Sequence, residues 1–288
     1  GTETGGVMIL KSHLKNETNA TLTAGSYNQF SEKINFSKTL GAHHLTVGQS
    51  HYQSNGYRQQ SAMKRTSFYL NDLWKYNTKN TLNFKAFYTN LGYETPGGLT
   101  REQMLLNRKQ ARLATATLPS AETQNAAIYN KTFLGGMAHI WNINKNWTQF
   151  SLIQTSFTNL KNPFISNFEE RKEFNVQGRF YVNHEREYTY LFSRTRFGFE
   201  AGTNKTDFNN YDNNAGIKGN PQKFDRLKTN SAFYYVSQHF AIKNTFYIDA
   251  SLSLQRMAYG WKTTFPNVEN GNKAFKNQLF PNIALSYK

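Results

Sequence analysis

The sequence predicts an all-β protein: an antiparallel β-barrel that spans a membrane with strands. Three observations carry this. In residues 244–256, NTFYIDASLSLQR, Phe246, Ile248, Ala250, Leu252 and Leu254 alternate with Tyr247, Asp249, Ser251, Ser253 and Gln255. Successive side chains of a strand point to opposite faces, so the segment has one oily wall and one polar wall. The pattern returns about a dozen times along the chain, and the connections alternate between tight and long, as in bacterial barrels.

The composition agrees once the barrel is considered. Only 38% of residues are apolar and the mean hydropathy is −0.70, and no run approaches the roughly 18 apolar residues of a membrane helix. A barrel escapes this test because half of each strand faces its interior. With no cysteine, disulfides and thiolate metal sites are excluded. The net charge of +16 admits nucleic acid, anionic lipid or an anionic small ligand as partner. No basic helix, zinc finger or RNA-binding signature is present, so nucleic acid is set aside. Basic residues are scattered over strand ends and loops, where acidic outer-membrane lipid and lipopolysaccharide would meet them.

Taken in order, residues 1–12, GTETGGVMILKS, give a Gly-rich turn and a short apolar strand. Strands are then expected near 18–27, 30–39, 43–53, 62–76, 80–92, 123–142, 147–159, 169–183, 187–206, 226–241, 245–262 and 277–288. The tight connections, 40–42, 77–79, 144–146, 184–186 and 243–244, are rich in Asn, Gly and Lys, as hairpin turns should be. The others, 54–61, 93–122, 160–168, 207–225 and 265–276, are longer, preceded by a brief one at 27–29. A soluble sandwich has no reason to sort its loops by parity. Alternation is clear where Leu82, Phe84, Ala86 and Tyr88 oppose Asn83, Lys85 and Thr89. It is ambiguous in 147–159, where Ile153 and Phe157 lie opposite Phe150 and Leu152. Trp74, Tyr76, Trp141, Trp147, Tyr259 and Trp261 gather near strand ends, where interfacial girdles belong. Several strands exceed the 9–11 residues that a crossing takes, and the surplus is expected to project on the long-loop side.

Three passages resemble TonB-dependent outer-membrane receptors, above all the ferric-chelate receptors of Bacteroidetes-like bacteria. Residues 1–12 look like the end of the plug domain, 54–65 (SNGYRQQSAMKR) are similar to the Gly-Tyr-Arg passage of the second external loop, and 92–103 (GYETPGGLTREQ) to the Thr-Pro-Gly-Gly-Leu-Thr loop. The resemblance implies a plug inside a 22-stranded barrel, with residues 1–12 closing the plug and 13–288 forming about the first twelve strands. It also implies import of a ferric siderophore or other iron chelate, driven by the inner-membrane TonB complex, with no enzymatic activity and no cofactor. The same scaffold serves other nutrients, such as oligosaccharide or cobalamin; a barrel adhesin or enzyme is the reading outside transport. With no signal peptide at Gly1 and a strand underway at both ends, the sequence reads as a piece of a longer protein.

The candidate ligand-binding residues lie on the long-loop side. Tyr57, Arg58 and Gln59 sit in the second loop, and Arg101, Arg108 and Arg112 follow the Pro-Gly-Gly turn. Guanidinium groups pair strongly with carboxylates, so these arginines suit a carboxylate-bearing iron chelate. The stretch 101–118 has helical spacing but fits a short helix or irregular coil equally. His43 and His44 are strand neighbours that point apart, which disfavours joint metal binding. The Asx-rich run of Asp207, Asn209, Asn210, Asp212, Asn213 and Asn214 lacks the EF-hand spacing and is expected to be a flexible surface loop. No P-loop, GxSxG, HExxH or Rossmann fingerprint occurs, so no catalytic or metal residue is assigned.

Overall fold

The computed structural model of the protein describes residues 14–288; the passage 1–12, assigned above to the plug, lies outside them. One antiparallel sheet of 13 strands follows chain order. It comprises β1 (Glu17–Gly25), β2 (Gln29–Leu40), β3 (His43–Ser54), β4 (Met63–Trp74), β5 (Asn80–Glu94), β6 (Ala127–Asn142), β7 (Trp147–Pro163), β8 (Asn167–Glu187), β9 (Leu191–Asn214), β10 (Ile217–Ile242), β11 (Phe246–Phe265), β12 (Glu269–Ala274) and β13 (Gln278–Tyr287), with one short helix, α1 (Arg101–Leu106). β12 and β13 share one place in the sheet. β12 pairs with Ala258–Thr263 of β11 and β13 with Phe246–Gln255. The break between them is bridged by the Phe275 amide, which donates to the Met257 carbonyl at 2.9 Å.

Three connections expected to be long are short. Only residues 164–166, 215–216, 266–268 and 275–276 lie outside strands there, and the remainder of 160–168, 207–225 and 265–276 continues the ladder. On this side β8, β9, β10 and β11 reach 21, 24, 26 and 20 residues. The Asn- and Asp-rich run 207–214 is therefore strand, not flexible loop. Propensity disfavours Asn and Asp in strands, but a tall neighbour on each side supplies the hydrogen bonds and cross-strand partners that override it. The turns themselves follow local chemistry. Tyr27–Asn28, Ala215–Gly216 and Lys243–Asn244 each place two consecutive residues at positive φ, which matches the twist of a tight hairpin.

The decisive feature is where the oily residues go. Phe68, Leu70 and Trp74 of β4 share a face with Leu82, Phe84 and Tyr88 of β5 and with Phe133 and Met137 of β6. The same face continues through Ile153 and Phe157 of β7, Phe174, Phe180 and Val182 of β8, Phe197 and Phe199 of β9, and Tyr234 and Val236 of β10. Leu252 and Leu254 of β11 with Leu279, Ile283 and Leu285 of β13 complete it. No second layer covers it: Phe68 is 49% exposed, Ile153 56% and Ile283 71%. Buried apolar side chains among the described residues amount to a few alanines with Pro163, Ile165 and Phe168. A water-soluble domain of this size would bury this band; here it faces outward, as lipid contact requires.

The band is also tilted. A row of register partners runs Leu70–Ala86–Gly135–Thr155–Val176–Thr203–Asn230–Ala258. On β4 the apolar stretch, 68–74, straddles this row; on β11 the stretch, 246–254, lies wholly to one side of it. The band slips by about one residue per strand. With a rise of ~3.3 Å and a spacing of ~4.8 Å, that slip is a tilt of roughly 35°, the barrel range. One acid interrupts the band. Asp72 accepts from His43 at 2.9 Å, and the His43 ring stacks on Trp74 at 5.3 Å. Trp74, Trp141 and Trp147 lie on this outward face at the tight-turn end, as a girdle requires. Tyr259 and Trp261 do not: their parity is that of Ser251 and Ser253, so they face inward near the opposite end.

Candidate functional site: the braced external loops

Among the described residues the longest connection is 95–126, and the sequence builds it as a small folded unit. Thr100 caps α1: its Oγ1 accepts from the Gln103 amide at 3.2 Å while the Gln103 side chain accepts from the Thr100 amide at 3.0 Å. This reciprocal pair satisfies two otherwise orphaned donors. The helical spacing of 101–118 is thus realised only over Arg101–Leu106; beyond it the chain folds back. Gly97 at φ +71 permits this return, because a Cβ there would lie 2.8 Å from Arg112 Cβ. Ala111, Ala121, Ala126 and Ile165 form a miniature core beneath.

Three of the six predicted ligand residues act as braces. The Arg58 fork donates Nε and Nη2 to the Gln110 carbonyl at 3.1 and 2.9 Å. Gln59 donates its amide to Lys109 O at 2.7 Å and accepts from the Ala111 amide at 3.2 Å. The Arg112 amide donates to Pro96 O at 2.7 Å and its Nη2 to Pro119 O. These groups tie 55–62 to 95–126 and close the latter upon itself. Arg58 and Arg112 direct guanidinium nitrogens to backbone carbonyls, and the Gln59 side-chain oxygen takes a backbone amide.

The other three remain available. Tyr57 is 49% exposed, meets Tyr27 edge-on at 5.8 Å and carries the Lys109 ammonium 5.8 Å from its ring centre. Arg101 opens α1 and Arg108 lies just beyond it, both exposed and with no ion pair among the described residues, next to exposed Met104, Leu105 and Leu106. The tip thus offers three cations, an aromatic ring and apolar side chains on a fixed frame. Lys109 was missed in the sequence although it adjoins Arg108.

The far side of the frame is held by the hairpin of β9 and β10. Asn213, only 6% exposed, donates to Gln124 O at 2.9 Å and Phe164 O at 2.5 Å, and accepts from the Gly216 amide at 2.8 Å. Gln124 and Asn125 return bonds to Ala215 at 3.0 and 2.7 Å. No pattern in the sequence marks Asn213 among its Asx neighbours; its partners come from two distant loops.

Charge pairs stiffen the projecting strands. Lys218 meets Glu170 at 2.9 Å, and that bond raises its pKa. Burial pushes the Asp225 carboxyl up, but the Thr263 hydroxyl and Lys223 outweigh it and hold it below the usual value. A depressed carboxylate stabilises the fold above its unfolded pKa, near 3.9, and that contribution is lost as pH falls through the lower folded value. Asp225→Asn is therefore expected to flatten the acid limb, below about pH 4, of an unfolding curve followed by intrinsic fluorescence. An unchanged limb would remove the assignment.

Beneath the loops, at the depth of the apolar band, the inward wall is polar and ionised. Arg179 pairs with Glu200 at 2.8 Å, Arg196 lies 4.5 Å from the Tyr181 ring centre, and Tyr181 stacks on Phe150 at 4.8 Å. Among the described residues no three His, Asp or Glu gather into a metal-ligating group. His43 and His44 turn apart, His44 bonding Ser37 and Thr39.

No protein-family model and no curated protein matches the chain. Solved structures do. The ferric citrate transporter FecA, unliganded, superposes with a TM-score of 0.76 at 13% identity, over 94% of this chain and 41% of that one. The siderophore receptor PiuA from Acinetobacter baumannii gives 0.75 at 10% identity, over 95% and 48%. The alcaligin outer-membrane receptor FauA from Bordetella pertussis gives 0.71 at 12%, over 96% and 42%. The resemblance to this class of receptor read from the sequence holds at the level of fold, and the chain spans under half the length of these structures.

Proposed function

We propose that the chain is the wall of an outer-membrane importer for an iron chelate or similar anionic nutrient, completed by further strands and a plug, and energised from the inner membrane by TonB. The observation that carries this is the cationic, aromatic tip of Tyr57, Arg101, Arg108 and Lys109, held on a braced loop above an inward wall bearing Arg179 and Arg196. Braced loops present charges at a fixed spacing, which lowers the ordering cost of capturing a rigid anion. Arginine forks suit carboxylate or catecholate oxygens better than sugar hydroxyls.

The test is binding of ferric citrate and a panel of ferric siderophores to the full-length protein in detergent, beside neutral oligosaccharides and cobalamin. Micromolar binding of an anionic chelate is expected, and Arg101→Gln with Arg108→Gln and Lys109→Gln should weaken it by about a hundredfold, each charged contact contributing about 0.9 kcal/mol. Binding of an oligosaccharide alone, indifferent to those substitutions, would move the cargo to carbohydrate. Binding of nothing in the panel would end the importer reading.

A further inference from the structure

The outward face changes character just above the apolar band, on the side of the projecting strands. There Phe157 and Phe174 are register partners with ring centres 4.8 Å apart. They floor a groove of about 490 Å³ rimmed by Lys172, Lys205, Asp207 and Arg226. Glu173, between Lys172 and Phe174, turns to the inner face and is engaged there by Arg171 at 3.2 Å, while Asp207 is engaged by Arg226 at 3.4 Å. Lys172 and Lys205 have no ion pair among the described residues, and both are exposed.

The next strand makes the arrangement harder to dismiss as solvated charge. Lys205 of β9 lies directly opposite Lys228 of β10. Facing like charges destabilise a sheet pair, and no acid stands between these two. A bridging anion would relieve the repulsion. Lys172 precedes Phe174 by two residues on one face, about 6.6 Å along the strand toward the long-loop side, which is the step from an acyl boundary to its headgroup. We infer that Lys172, Lys205 and Lys228, over the Phe157–Phe174 floor, form a seat for the phosphorylated headgroup of an outer-leaflet glycolipid, one acyl chain lying on the two rings. The inference rests on the outer-membrane placement of the band but not on the cargo.

The test uses full-length protein purified in detergent and three probes: hexa-acylated lipid A with two phosphates, its dephosphorylated form, and inorganic phosphate. Native mass spectrometry is expected to show bisphosphorylated lipid A retained, the dephosphorylated form bound much more weakly, and phosphate alone bound weakly for want of the acyl contact. Substituting Lys172, Lys205 and Lys228 by Gln should weaken retention by about a hundredfold, near fivefold per cation close to an anionic surface. Lys228→Gln alone should weaken it about fivefold and keeps the test open if the triple variant folds poorly. Lys75→Gln with Lys145→Gln, in the tight turns at the other end, should change nothing. Equal retention of the dephosphorylated lipid, or loss shared by the turn variant, would overturn the seat. Chelate binding should be unaffected throughout; wild-type protein that retains lipid A but no chelate would remove the importer reading and leave the seat standing.

Discussion

Gly198→Val is expected to stop the sheet from assembling, while Gly178→Val leaves it intact. The two glycines sit on paired strands only a few residues apart. A Cβ on Gly198 would lie 2.4 Å from the Phe180 carbonyl oxygen, 2.6 Å from Tyr181 Cβ and 2.9 Å from the Tyr235 hydroxyl. The carbonyl belongs to the ladder between β8 and β9, and it cannot retreat without breaking that pairing. At Gly178 the nearest atom to a new Cβ is Leu152 O at 3.7 Å, ordinary contact, and the new side chain would join the outward apolar face. Overpacking costs about 1–3 kcal/mol where side chains can give way and more where backbone must move. The measurement is the gel shift of folded against heated protein, with urea titration of whatever folds. Equal behaviour of the two variants would contradict the crowding described at Gly198.

Asn213→Leu is expected to spare the barrel and undo the loops. Leucine fills the space but leaves the Gln124 and Phe164 carbonyls and the Gly216 amide without partners. An unpaired buried group costs about 1–3 kcal/mol, and solvent near the loop surface will recover part of it. A net loss of roughly 2–5 kcal/mol falls on the loop unit alone. Amide exchange should accelerate in 95–126 and 164–166 but not in the strands, the gel shift should persist, and chelate binding should fall by at least about tenfold, because Tyr57, Arg101, Arg108 and Lys109 lose their frame. Asn213→Asp separates frame from volume: it can still accept from Gly216 but cannot donate to either carbonyl, so it should exchange nearly as fast as the leucine variant. Unchanged exchange in both would show that the frame is held elsewhere.

Much of this was legible beforehand because its causes are local. Period-two alternation says which side chains share a face, and turn-forming Asn, Gly and Lys say where the chain reverses; neither depends on what lies across the sheet. The capping pair of Thr100 and Gln103 is equally local, three residues apart, yet the reading of 101–118 as helix or coil passed over it. The braces were not legible in this way. Arg58, Gln59 and Arg112 carry the donor chemistry of ligand residues, and only the return of residues 109–119 to within reach turns that chemistry inward. Asn213 is one Asx residue among six until loops from two other hairpins arrive.

The sequence alone determined an outward oily face, an inward polar face and hairpin order, because strand geometry forces neighbouring side chains apart whatever the fold. The tertiary structure decided what that rule leaves degenerate. In β7 both parities are oily, and only register with β8 sends Ile153 and Phe157 outward and seats Phe150 on Tyr181 within. It likewise decided that 207–214 is strand, since a polar segment pairs when its neighbours rise beside it, and that three predicted ligand residues brace the loops, since the returning chain brings backbone carbonyls and an amide within their reach.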